Sequence, residues 1–179
     1  MNHMRAILIS LPCVWAALGT TAQAQPMYGY PPPPHYQPPR ESPVPVRGAM
    51  LAEHNAVRAR LGLPPLVWSD TLAESARDWG NRLLATGAFE HRPGNRYGEN
   101  LYMITGGYAS PAQVMSAWAG ESRDYNIRTN TCSGMCGHYT QVVWRTTRSV
   151  GCAAVSGRGR EVWVCEYDPP GNWVGSKPY

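Results

Sequence analysis

The spacing of apolar residues along the chain predicts three helices in the first part of the folded region. The first covers residues 49–62, the second covers residues 69–86, and the third begins at Ser110 with Pro111 in its first turn. Each segment repeats apolar side chains three or four positions apart, as a helix packed on a core requires. These apolar faces contain Met50, Leu51, Val57 and Leu61, then Leu72, Ala76, Trp79, Leu83 and Leu84, then Val114, Met115 and Trp118.

Strand patterns dominate the last part of the chain. Residues 138–144, 149–155 and 161–167 are typical of strands, and the glycines within 157–159 indicate a hairpin turn between the last two. A short apolar run at 101–104 predicts one more extended segment. Helices followed by strands in this order indicate the α+β class, with helices covering an antiparallel sheet.

The N-terminus has the pattern of a secretory signal peptide over residues 1–24. Its apolar core, residues 6–18, is too short to cross a bilayer, and small residues before Ala24 suit cleavage after that position. Cys13 lies in this core and would leave with the peptide, although a lipoprotein anchor at this cysteine is an alternative. We therefore expect an exported protein without a transmembrane segment.

Residues 25–47 form a proline-rich segment, and the folded domain is predicted over residues 48–179. Proline at this density favours extended polyproline II or disordered chain, because it removes backbone donors. A spacer is the expected role, and a ligand for a proline-binding module is the alternative. The formal net charge of +4 includes no concentrated run of Lys or Arg, which argues against nucleic-acid binding. We expect a monomer.

Four cysteines remain after the signal peptide: Cys132, Cys136, Cys152 and Cys165. An even number of cysteines in an exported protein indicates two disulfides, for which three pairings are possible. We favour Cys132–Cys136 with Cys152–Cys165, because each closes a short loop. A zinc site made by the four thiols is the rival interpretation.

Several side chains could carry chemistry. His138 lies two residues after Cys136, so a disulfide between Cys132 and Cys136 would limit how its imidazole can move. His54 lies on the apolar stripe of the first helix, where a histidine is either a hydrogen-bonded core residue or a ligand. Glu99 can point into a cleft or into water, and Glu121 lies on or beside the buried face of the third helix. His91 could be a ligand, but beside Arg92 and Pro93 it is expected to be an exposed loop residue.

Four motifs resemble those of the CAP superfamily, which comprises cysteine-rich secretory proteins, antigen 5 and pathogenesis-related 1 proteins. They occur in the family's order across the whole folded region, and the C-terminal residues are most similar to the plant pathogenesis-related 1 group. The motifs are A-E-H-N-A-V-R at 52–58, Y-G-E-N-L at 97–101, G-H-Y-T-Q-V-V-W at 137–144 and V-W-V-C-E-Y-D-P-P-G-N-W at 162–173.

The resemblance implies a three-layer α-β-α sandwich with a central antiparallel sheet. It also implies a cleft lined by two histidines and two glutamates, which match His54, Glu99, Glu121 and His138. The two histidines are expected to bind zinc or another divalent cation weakly, with the glutamates acting through water or by orienting the imidazoles. Glu166 departs from the pattern, because the family usually has Asn or another small polar residue there.

The resemblance further implies a secreted, non-enzymatic binding module whose partners are sterols, lipids or extracellular proteins. A metal-assisted hydrolase or protease using the same cleft is the alternative. Neither G-x-S-x-G nor H-E-x-x-H occurs in the sequence, so we prefer binding to catalysis. Residues 169–179 are either a released signalling peptide or a C-terminal clamp. We expect the clamp, with Trp173 and Tyr179 packed on the domain.

Overall fold

The computed structural model describes residues 45–179 and, for the backbone alone, residues 40–41. The predicted signal peptide (1–24) and most of the predicted proline-rich segment (25–47) lie outside the described residues. Within the described part of the chain, no helix combines the length and apolar character that crossing a membrane requires.

Helices and strands are interspersed along the chain, and the two longest strands follow each other at its end. The helices are α1 (Arg47–Ala59), α2 (Asp70–Thr86), α3 (Pro111–Gly120) and α4 (Gly137–Val142), with a 3-10 helix at Glu121–Asp124 directly after α3. The strands are β1 (Arg40–Glu41), β2 (Val67–Trp68), β3 (Gly98–Thr105), β4 (Tyr125–Asn126), β5 (Thr131–Cys132), β6 (Ser149–Gly157) and β7 (Arg160–Asp168).

Local capping explains the boundaries of α2 and α3, and both confirm the prediction. The Ser69 side chain accepts a hydrogen bond from the backbone N–H of Leu72 at the start of α2, and Gly87 ends that helix with a φ of 77°. Ser110 and Gln113 form a capping box at the start of α3, where Pro111 occupies the first turn.

The main sheet has the order β1-β6-β7-β3, and its neighbouring strands on this path are antiparallel. The short β2 pairs with β6 in parallel, which the sequence did not predict.

Alternate residues of β6 and β7 pack against helices on opposite faces of the sheet, as the period of two in a strand dictates. On one face they meet α1, α3 and α4 in a core that includes Met50, Val114, Trp118, Tyr139, Val150, Ala154, Trp163 and Tyr167. On the other face they meet α2 in a core that includes Ala76, Trp79, Leu83, Ala153, Val155, Val162 and Val164. This confirms the α-β-α sandwich.

One predicted strand is wrong. Residues 138–144 were expected to be extended, but α4 covers Gly137–Val142 and the third long strand of the sheet is β3. The error has a physical cause: residues 139–144 are all buried, so apolar periodicity does not distinguish a strand from a short buried helix. The helix is favoured because Glu121 accepts hydrogen bonds from the first free N–H groups, as described below.

Both expected disulfides are confirmed: Cys132 pairs with Cys136, and Cys152 pairs with Cys165 across neighbouring strands. The C-terminal residues also pack on the domain. The hydroxyls of Tyr139 and Tyr179 lie 2.9 Å apart, and the backbone N–H of Arg145 donates to the carbonyl oxygen of Pro178 at 2.7 Å. Trp173, expected to pack with Tyr179, is instead 62% exposed.

Candidate functional site

His138 and Glu121 form a tight dyad at the start of α4. The imidazole Nδ1 lies 2.6 Å from Glu121 Oε1. The other carboxylate oxygen, Oε2, accepts the backbone N–H groups of His138 at 3.0 Å and of Tyr139 at 3.2 Å. These N–H groups belong to the first turn of the helix and have no intrahelical partner. Glu121 therefore holds the backbone of α4 and the ring of His138 with one carboxylate.

The dyad determines which ring nitrogen of His138 is available. A carboxylate oxygen accepts hydrogen bonds, so Nδ1 carries the proton and the lone pair of the neutral ring is on Nε2. Among the described residues, Nε2 of His138 has no hydrogen-bond partner. The ring stacks on Trp118, with centroids 6.0 Å apart and planes 19° from parallel, and its side chain is 23% exposed. This is the usual arrangement of a histidine that binds metal through Nε2 with a carboxylate behind it.

His91 and Glu99 form a second dyad, which sequence reasoning missed. Glu99 lies in β3, and its Oε1 accepts from Nδ1 of His91 at 2.6 Å and from the backbone N–H of Arg92 at 3.1 Å. The hydrogen bond to Glu99 raises the pKa of His91 above its ordinary value. The Glu99 side chain is only 4% exposed, whereas that of His91 is 66% exposed. The exposed loop position of His91 was predicted. Its contact with Glu99, eight positions later, was not, because it depends on how the loop folds back onto β3.

His54 lies apart from both dyads, in the core between α1 and the sheet. It is fully buried, and its Nδ1 donates to the carbonyl oxygen of Met50 at 2.7 Å. A neutral ring then has its lone pair on Nε2, which accepts from the hydroxyl of Tyr167 at 2.8 Å. Burial lowers the pKa of His54 to about 4, and the charge of Arg58 acts in the same direction. Both ring nitrogens of His54 are thus committed to hydrogen bonds within the core.

One group of metal-capable residues is close-packed within the described part of the chain. It consists of His54, Cys152 and Cys165, whose ligand atoms lie within 4.8 Å of one another. The two sulfurs form a disulfide, and disulfide sulfur is not the thiolate that binds metal. In the oxidised protein this buried group therefore does not fit a metal ion.

Asn100 connects the second dyad's strand to His138 and to the core. It follows Glu99 in β3, and its Nδ2 donates to the backbone carbonyl of His138 at 3.1 Å and to the hydroxyl of Tyr167 at 3.1 Å. Gly98, on the other side of Glu99, lies so close to the side chain of Gln141 in α4 that a Cβ atom would be 2.2 Å from its Oε1. The first residues of β3 therefore pack directly on α4, the helix that contains His138.

Glu166 lies directly opposite Glu99 in the register of β3 and β7. It is fully buried, and burial raises its pKa, with Arg92 and Ser75 acting in the opposite direction. Arg92 Nε is 3.7 Å from Glu166 Oε1. Three buried polar atoms meet here without a hydrogen-bond partner among the described residues: Arg92 Nε, Glu99 Oε2 and Glu166 Oε2. This local departure from the family pattern places a second carboxyl group behind the His91–Glu99 dyad.

The two dyads offer the chemistry of an oriented imidazole. In its neutral form, each ring has a lone pair on Nε2 that can accept a proton or bind a cation. Catalysis by acyl transfer would also need a hydroxyl or thiol within hydrogen-bond reach of the base. Among the described residues, neither His91 nor His138 has such a hydrogen bond, since their ring contacts are to Glu99 and Glu121. Both dyads thus offer an oriented imidazole that is not paired with a nucleophile in the described part of the chain.

Comparison with known proteins agrees with this architecture. Pathogenesis-related protein 1 of Arabidopsis thaliana is 44% identical over 127 residues, which cover 70% of this chain and 78% of that protein. Pathogenesis-related protein PR-1 of Medicago truncatula is 44% identical over 137 residues, which cover 74% of this chain and 79% of that protein.

Solved structures show the same fold. The crystal structure of Na-ASP-1 matches 75% of this chain with a TM-score of 0.65 and 26% identity, and the match spans 41% of that longer protein. The profile of the CAP family, described as the cysteine-rich secretory protein family, matches residues 51–167. The chain therefore belongs to the CAP family.

Proposed function

We propose that this protein is a secreted, non-enzymatic binding module that takes a divalent cation at His138. The observation that carries the proposal is the dyad with Glu121: Nδ1–H donates to the carboxylate, and Nε2 of a partly exposed imidazole has no partner in the described chain. Carboxylates in this position orient a ligating histidine and raise its basicity. Zinc is the expected ion, because imidazole nitrogen suits a borderline metal.

The second ligand in this proposal is His91 rather than His54. His91 repeats the geometry of His138, with a carboxylate on Nδ1 and an exposed ring. His54 would have to give up the hydrogen bond from Tyr167 and leave the core before Nε2 could bind an ion. Two imidazoles with water make an incomplete zinc site, so the expected affinity is modest and the ion is exchangeable.

Secretion and partner class complete the proposal. Two disulfides suit an oxidising compartment, and they agree with the signal peptide predicted for residues 1–24. We expect the module to act as a monomer on lipids, sterols or extracellular proteins. Metal-assisted hydrolysis, which would use a metal-bound water as the nucleophile, is not part of the proposal.

The cation site is tested by zinc titration of the purified protein with two readouts, calorimetry and imidazole nitrogen NMR. We expect zinc to shift the Nε2 resonance of His138 and, to a similar extent, that of His91. Glu121→Gln should weaken zinc binding about tenfold to a hundredfold, as removal of a carboxylate behind a ligating histidine does.

The matched control is the third described histidine. The ring resonances of His54 should not respond to zinc, because both nitrogens are bonded inside the core. Zinc affinity that stays unchanged in His138→Asn protein would refute the site. If zinc binding is lost in His138→Asn protein but unchanged in His91→Asn protein, the proposal is restricted to the imidazole of His138.

A further inference from the structure

The C-terminal segment displays apolar side chains to solvent. Val174 is fully exposed, with a relative exposure of 103%, and its neighbour Trp173 is 62% exposed. Met135, which is 67% exposed, lies between the two cysteines of the 132–136 disulfide. Both cysteines and Trp173 line one groove of about 270 Å³. We call these three side chains, Met135, Trp173 and Val174, the apolar tip.

The apolar tip is built on a well-defined turn. The backbone N–H of Ser176 donates to the carbonyl oxygen of Trp173 at 3.0 Å, and Gly175 has a φ of 80°. These features fit a type II turn, with Val174 at the first central position and glycine at the second, where a positive φ is required. Polar residues usually occupy exposed turns, so a fully exposed valine here is unfavourable in water and points to a contact.

Hydrogen bonds from a second segment hold this turn in place. The Nδ2 of Asn130 donates to the carbonyl oxygen of Ser176 at 3.2 Å, and Lys177 Nζ donates to the carbonyl oxygen of Arg128 at 3.2 Å. The Tyr125 hydroxyl in turn donates to Asn130 Oδ1 at 2.8 Å. Because the turn is already ordered, a partner that covers it does not have to order the chain first.

Two cations lie next to the turn of the apolar tip, and the nearby carboxylate of Asp124 lies beside Gly134, the neighbour of Met135. Residues 125–160 and 169–179 contain no Asp or Glu, whereas Arg128 and Lys177 lie next to the turn and are exposed. The groove behind the tip is likewise lined by residues without a charged side chain. An acidic protein surface and an anionic lipid surface would both complement this charge.

We propose that the apolar tip docks this protein on the surface of an anionic lipid bilayer. A fully exposed side chain at the apex of a turn protrudes, which suits insertion between lipid headgroups better than burial against a folded partner. Tryptophan favours the membrane–water interface, and cations beside it attract anionic headgroups. The inference rests on the binding role proposed above and names its surface, but it does not use the cation site.

The test is co-sedimentation of the full mature chain with phosphatidylcholine vesicles that contain or lack phosphatidylserine, with a chelator present throughout. The chelator keeps the outcome independent of the proposed cation site. We expect binding to the anionic vesicles and a decrease in Val174→Asp protein of about tenfold or more, because a carboxylate replaces the inserted side chain and is repelled. Arg128→Gln should weaken binding to anionic vesicles and reduce its dependence on salt.

The matched control is Val67→Asp, which introduces the same charge at another exposed valine, in β2. This variant should bind vesicles within about twofold of the wild type, because Val67 is not part of the apolar tip. The two substitutions change the net charge equally, so the comparison separates the position from the charge. Equal loss in the two variants would show a net-charge effect and overturn the tip. Wild-type protein that binds neither kind of vesicle would also overturn the proposal. The proposal would also be overturned if the wild-type protein self-associates and Val174→Asp protein does not, because the apolar tip would then bind a second copy of the chain.

Discussion

The buried His54 should make the stability of this protein depend on pH in a defined window. Its pKa is lowered from 6.5 to about 4 in the folded protein, chiefly by burial. Between these two values the unfolded chain binds a proton at this site and the folded protein does not. The free energy of unfolding therefore rises with pH through this window, and the contribution is complete above pH 6.5 and lost as pH falls towards 4.

The size of the effect follows from the same shift. One pKa unit corresponds to about 1.4 kcal/mol, so a change from 6.5 to about 4 amounts to roughly 3 kcal/mol of stability. Urea unfolding at several pH values between 4 and 7, followed by tryptophan fluorescence with the disulfides intact, measures this contribution. In His54→Gln protein the slope against pH should decrease by up to about 1.4 kcal/mol per pH unit, because the titrating group is gone.

The control for this measurement is His91→Gln. Its pKa is raised rather than lowered, so its contribution is present below 6.5 and lost as pH rises through the folded value. This variant should leave the slope between pH 4 and 6 unchanged. The raised pKa of Glu166 acts in all three proteins and cancels in the comparison. An identical slope in the wild type and His54→Gln would refute the argument that burial keeps this ring neutral.

Three further substitutions test the packing. Gly151→Ala should destabilise the protein by about 3 kcal/mol or more, because the new Cβ would lie 2.3 Å from the backbone nitrogen of Ala73, and thermal unfolding measures this. Gly48→Ala in α1 is the contrasting case: beyond its own helix backbone, no atom of the described residues lies within 4 Å of its Cβ position, so we expect a gain of roughly 0.5–1 kcal/mol. Arg58→Leu should cost at least about 3 kcal/mol in urea unfolding, since the buried guanidinium donates to four backbone carbonyls that would lose their partner. Wild-type stability in Arg58→Leu would mean that water replaces these bonds.

Local chemistry allowed much of the fold to be predicted. The caps at Ser69 and Ser110 and the positive φ at Gly87 act within a few residues, so the boundaries of two helices could be inferred from sequence. The pairing of Cys152 with Cys165 was also accessible, because a hairpin brings nearby cysteines together. The short helix at 137–142 was not, since it depends on a carboxylate from Glu121, supplied by a different segment.

The site was harder to predict for the same reason. Glu121 and His138 were both identified, and the structure pairs them directly. The role of His91 depends on a loop that folds back onto β3, which no local pattern records. The local pattern left His54 as either a core residue or a ligand, and the resemblance assigned it to the cation site with His138. Both ring nitrogens of His54 are hydrogen-bonded in the core: Nδ1 to the carbonyl of Met50, four positions away, and Nε2 to Tyr167, more than one hundred positions away in the chain.

The hydrogen bonds of Asn100 have a consequence for how the core and the site communicate. Its amide nitrogen serves both the carbonyl of His138 and the hydroxyl of Tyr167, and that hydroxyl donates to His54. A chain of hydrogen bonds through four residues thus joins the buried ring of His54 to the backbone of His138. A substitution of a buried residue in this chain can therefore change the position of His138 without altering any exposed residue. Variants that affect the site should be sought among buried residues as well as exposed ones.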